Sequence, residues 1–152
     1  MRVSKIQRSI EYKDIAGGEM QAVNDSQGIV EGYLNRTSVI DFVSDKSMPG
    51  CFAVTIKDGY ARKAAQSLDY IWPFLWSHSY EVLPPGGIFY ADEDRKGLFI
   101  KVQLNRDIQS GRELYASFKN RTVSKMSMGY KSIRDSWPLS VFLTKRYDVP
   151  YN

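Results

Sequence analysis

Val123-Ser124-Lys125-Met126-Ser127-Met128-Gly129-Tyr130 is the stretch whose reading decides the fold of this chain. At the two-residue period of a strand, Met126, Met128 and Tyr130 share one face, while Ser127 and Gly129 share the other. A small hydroxyl residue is thereby set opposite a bulky apolar face, next to a residue with no side chain. Rigid backing and open space are what a nucleophilic serine needs, because a substrate carbonyl must approach its oxygen within van der Waals reach. The same pattern also describes a polar residue on the solvated side of an ordinary strand, so other parts of the chain have to decide between the two.

Immediately upstream, Ser110-Gly111-Arg112-Glu113 has the form of a capping box. It predicts a helix starting at Ser110, with Leu114 and Phe118 on the inner face and an end near Asn120. Before it, Leu98, Ile100, Val102 and Leu104 alternate with Phe99, Lys101 and Gln103, which predicts a strand over 97–104. Paired with 88–91 across Asp92-Glu93-Asp94-Arg95-Lys96, it forms a hairpin. The acidic residues of that turn lack calcium-loop spacing and read as solvated.

Ile71 to Trp76 reads as a strand, with Pro73 marking an edge or a bulge, and His78 follows it closely. Leu83-Pro84-Pro85-Gly86-Gly87 is a turn. Pro49-Gly50 predicts a helix start near Cys51-Phe52, and Asp58 is placed to cap a second helical pattern through Tyr60, Ala64 and Leu68. Gln27 to Leu34 reads as a core strand whose glycines suggest a bulge or close packing. Arg8 to Ile15 fits an edge strand, Asn35 to Met48 is a turn-rich loop carrying Asp41 and Asp45, and Leu139 to Leu143 suggests a last strand. Short strands interrupted by two or three helices predict an α+β fold, a small, mostly antiparallel β-barrel with helices packed around it.

A chain of 152 residues fits one domain over 1–152 that buries its own core. The single Cys51 forms no disulfide within the chain, in keeping with a reducing compartment. The first residues read as no signal peptide, and no apolar run approaches the roughly 20 residues that span a bilayer. The net charge of +4 and 13% aromatic content admit a single-strand nucleic-acid binder. The basic residues are interspersed with acidic ones, however, which argues against that class. One Cys and one His exclude a Cys/His zinc site within one chain, and no phosphate-binding glycine motif is present, so no cofactor is expected.

The sole histidine, His78, and Ser127 are residue types able to serve as base and nucleophile, in whatever chain order a fold presents them. Glu31-Gly32-Tyr33, Met48-Pro49-Gly50-Cys51-Phe52, Leu75-Trp76-Ser77-His78, the Gly97-Leu98 hairpin and Met126-Ser127-Met128-Gly129-Tyr130 occur in that order. Together they resemble the prohead proteases of tailed phages. The resemblance implies a serine endopeptidase with a fold similar to the herpesvirus assemblins, with His78 as general base and Ser127 as nucleophile. It also implies cleavage of scaffold or capsid protein, and of the chain itself, during capsid maturation. The implied partners are the major capsid protein and scaffold, with self-association and without membrane or nucleic acid. The implied location is the cytoplasm of the bacterial host, inside the prohead.

The family pattern also has an acidic residue after the serine, shortly before a segment that Pro150-Tyr151-Asn152 resembles. The position expected to be acidic falls near Leu143, which cannot orient an imidazole. Asp148 is the nearest carboxylate in the tail, and Asp135 is a second candidate. The competing reading is a degenerate member of the fold that binds capsid or scaffold and cuts nothing.

Overall fold

The computed structural model describes residues 11–14, 20–40, 46–136 and 144–148. Eight strands and two helices run through them in chain order. The strands are β1 (Glu11–Asp14), β2 (Met20–Asn24), β3 (Ile29–Arg36), β4 (Trp72–Phe74), β5 (Gly86–Glu93), β6 (Gly97–Leu104), β7 (Ser127–Ser136) and β8 (Thr144–Asp148). The helices are α1 (Ala53–Ala65) and α2 (Gln109–Lys119). The expected strand over 139–143, the Pro150-Tyr151-Asn152 segment and the loop carboxylates Asp41 and Asp45 lie outside the described residues.

Five strands form one antiparallel sheet in the order β2-β3-β6-β5-β4, and three form another in the order β1-β7-β8. This corrects the expectation of a barrel: among the described residues no ladder closes the five-stranded sheet. At one edge, β4 has only three residues, and Pro73 at its centre has no N–H to give a ladder. At the other edge, β2 is held to the segment before β7 by the bond that the Met20 amide donates to the Ser124 carbonyl at 3.0 Å.

The strict alternation of β6 is realised. Leu98, Ile100, Val102 and Leu104 are buried, while Phe99, Lys101 and Gln103 face outward. They meet Val30 and Leu34 of β3, Ile88 and Ala91 of β5, and Leu114 and Phe118 of α2 in one core. Gly97 joins the hairpin at φ +146°, and an added Cβ there would collide with the Asn35 backbone. β2 has no counterpart in the sequence reading, because five mixed residues carry too little alternation. The start of β3 also shifts: Gly28 is not in the strand but closes the β2–β3 turn at φ +68°, where a side chain is disfavoured.

The two helices expected between Cys51 and Leu68 are one. Nothing between Ala53 and Ala65 interrupts the ladder, so Asp58 sits mid-helix and caps nothing. Gly59 lets α1 approach β4: a Cβ there would lie 2.5 Å from Ile71 Cγ2. The capping box is also overturned. Ser110 is the second residue of α2, Ile108 occupies the cap position without a side-chain bond, and Glu113 instead accepts from Gln109 Nε2 at 2.7 Å. The chain turns into α2 at Asn105, whose Oδ1 accepts from the Asp107 amide at 3.0 Å. Leu114 and Phe118 form the buried face as expected, and the helix ends before Asn120.

Candidate active site

Ser127 opens β7, the central strand of the three-stranded sheet. The chain reaches it from α2 through Val123 and Met126, both packed on the core, and Met128 is buried beyond it. The apolar backing that the alternation implies is therefore present at Met126 and Met128. The backbone of Ser127 is held in register with Asp14 of β1.

His78 lies past the end of β4, as expected, but the strand is shorter than the 71–76 read from the sequence. β4 stops at Phe74, and the chain turns at Trp76–Ser79, where the Ser79 amide donates to the Trp76 carbonyl at 3.0 Å. Ser77 and His78 have φ of +49° and +55°. Two consecutive non-glycine residues in the left-handed region cost conformational energy, of order 1–3 kcal/mol each, and persist where the surroundings hold them. His78 is half-buried. Phe74 packs against Phe118 with centroids 6.3 Å apart, joining the end of β4 to the last turn of α2. The segments that carry His78 and Ser127 thus leave from one contact, four residues beyond Phe74 and nine beyond Phe118.

The carboxylates are placed by strand register. Asp148 lies opposite Lys131, four residues along β7 from Ser127, roughly 13 Å of strand. Asp135 is on β7 itself, eight residues on, about 26 Å away. Asp14 is the residue directly paired with Ser127. Sequence reasoning passed over it, because only the pairing of two strands more than a hundred residues apart brings it there.

The acidic residues at the end of β5 and in the turn after it hold the fold rather than a ligand. Glu93 accepts from the Gly50 and Phe52 amides at 2.8 and 3.1 Å, where α1 begins. Asp94 accepts from the Tyr33 hydroxyl at 2.6 Å and from the Lys96 and Gly97 amides. The Tyr33 bond leads these in holding the Asp94 carboxyl below the usual carboxylate range. Among the described residues, no group of three or more His, Cys, Asp or Glu side chains is placed to hold a metal ion. No described helix is long and apolar enough to cross a membrane. On the outer sheet face Phe99 packs edge-on against Tyr33 and Tyr90, Arg36 and Lys96 lie over Tyr33 and Lys101 over Tyr90, but acids are interleaved: Lys101 pairs with Glu31 at 3.1 Å.

An α+β fold with a histidine turn beside the sheet edge and a serine strand on a methionine backing has a family to match. The profile of the Caudovirus prohead serine proteases matches residues 17–145, and the chain belongs to that family. The prohead protease of Enterobacteria phage HK97 is 29% identical over 113 residues, which cover 74% of this chain and 46% of the relative. The chain thus matches about half the length of that curated relative. The bacteriophage T4 capsid assembly protease has a similar fold, with a TM-score of 0.65 at 9% identity over 94% of each chain.

Proposed function

We propose that this chain is a serine endopeptidase of capsid maturation. It cuts scaffold or capsid protein, and itself, within the assembling prohead in the host cytoplasm. The observation that carries the reading is that the family match spans both His78 and Ser127. The held left-handed turn at His78 and the buried Met128 behind the Ser127 strand support it.

In the proposed acyl transfer, the His78 imidazole takes the Ser127 hydroxyl proton as the oxygen attacks the scissile carbonyl. The imidazolium then gives that proton to the leaving amine, and water releases the acyl group by the same route. The family's acidic position falls near Leu143, and Asp148 is the nearest carboxylate to it in the tail, so Asp148 is the first assignment for the group behind the imidazole. Register favours a second assignment, Asp14, which is paired with Ser127. Asp135, eight residues away along its strand, is the weakest of the three.

Co-expression with the capsid and scaffold proteins of its own phage tests the proposal. The parent chain produces defined fragments. Ser127→Ala and His78→Ala each reduce cleavage by about 10⁴-fold or more, and the double variant is no worse than either, because base and nucleophile act as a unit. Of Asp148→Asn and Asp14→Asn, the one that loses activity without losing stability identifies the third group. Assembly without cleavage by the parent chain would instead make it a capsid- or scaffold-binding module.

A further inference from the structure

A groove of about 660 Å³ runs across the outer face of β4, β5 and β6, bounded by Asp69, Tyr70, Pro73, Pro84, Gly87 and Asp107. Its size lies in the range of ligand-holding clefts, about 300–1,000 Å³. Pairing makes the floor. Gly87 stands between Pro73 on one side and Gln103 on the other, so the middle of that row carries no side chain. Tyr70 closes one wall so tightly that a Cβ on Gly87 would lie 2.7 Å from the Tyr70 Cβ.

The charges in the groove are unequal. The Asp69 and Asp107 side chains make no hydrogen bond or ion pair among the described residues. Arg106, the lining cation, is committed elsewhere: its guanidinium donates to the Asp25 carbonyl and lies over the Tyr115 ring, 5.5 Å from the centroid. Two carboxylates without a partner among the described residues, lining one groove with Tyr70 and two prolines, suit a cation with apolar neighbours and repel phosphate. Pro84, at the rim, also ends the loop that carries His78. Along that loop Trp76, Tyr80, Val82 and Leu83 are at least half exposed, with Leu83 at 79%.

We infer that this groove docks an extended segment of the polypeptide substrate bearing a lysine or arginine beside apolar residues, at a distance from the bond that is cut. The inference takes its ligand class from the proposed proteolytic reading. Asp69 and Asp107 receive the basic group, Tyr70 and Pro73 receive its apolar neighbours, and the exposed loop guides the chain from the groove toward His78.

The test is binding, read on the full chain carrying Ser127→Ala so that cleavage plays no part. The probes are fluorescein-labelled Gly-Ala-Leu-Lys-Phe-Ala-Gly and the same peptide with Gln or Glu in place of Lys, followed by anisotropy. The expected result is saturable binding of the lysine peptide. Loss should be about threefold for Asp69→Asn or Asp107→Asn and about tenfold for both, and high salt should narrow the difference. Gln103→Arg, which puts a competing cation on the exposed wall, should weaken binding likewise, whereas Asp58→Asn on α1 should not. Equal affinity for the three peptides, unchanged affinity in the Asp69/Asp107 double variant, or no saturable binding up to about 5 mM peptide overturns the inference. A parent chain that binds in this pattern and cuts nothing would overturn the proteolytic reading and leave the groove standing.

Discussion

Glu93 belongs to a charged turn that reads as solvated, yet its carboxylate spans two amides at the start of α1. From the end of β5 it satisfies the Gly50 amide and the amide of the cap residue, Phe52, and so anchors the chain where it enters the helix. Glu93→Ala is expected to cost about 1–3 kcal/mol, since the bonds are charge-assisted and those amides would lose their partner. Chemical denaturation of parent and variant checks this, and coincident curves would contradict it. Tyr115 gives a second residue-level prediction. Burial, and then its hydroxyl's bond to Asp25 at 2.6 Å, push its phenol up from 10.0 to about 12. A folded value above the ordinary one means the protonated phenol stabilises the fold in full below pH 10, a contribution lost as pH rises toward 12. The stability gap between parent and Tyr115→Phe should therefore stay level to pH 10 and narrow between pH 10 and 12. A gap unchanged to pH 12 would be inconsistent with it.

At the level of elements, α2 separates what periodicity can read from what it cannot. Leu114 and Phe118 fall on the buried face because helical spacing requires it. The start of the helix was misread, because a Ser-x-x-Glu pattern competes with an Asn two residues before an aspartate, and the turn at Asn105 sets the direction first. Ser110→Ala should thus leave the thermal melt unchanged within about 0.5 kcal/mol, while Asn105→Ala should lower stability by about 0.5–1.5 kcal/mol. The reverse order would restore the capping box. β2 and the unbroken α1 were missed for related reasons. β2 is fixed by β3 and by the Met20–Ser124 bond, and α1 packs at Gly59 closely on Ile71 and Trp72. These are long-range facts with no local signature.

For the whole molecule, local alternation made the β5–β6 hairpin and the Met128 backing legible, and the order of motifs made the family legible. The open sheet was not, because closure depends on how edges distant in sequence meet, and Pro73 in β4 supplies no amide for such a ladder. The same limit applies to the candidate site. His78 and Ser127 are identifiable as residue types, whereas the register that pairs Asp14 with Ser127 exists only in the folded chain. The central claim is that Ser127 is a nucleophile activated by His78. Treating the full chain with a fluorophosphonate and mapping the adduct by peptide mass spectrometry tests it most directly. One adduct is expected, on Ser127, and it disappears in His78→Ala while the fold persists. An adduct on another serine, no adduct on the parent chain, or undiminished labelling of Ser127 in His78→Ala would contradict it.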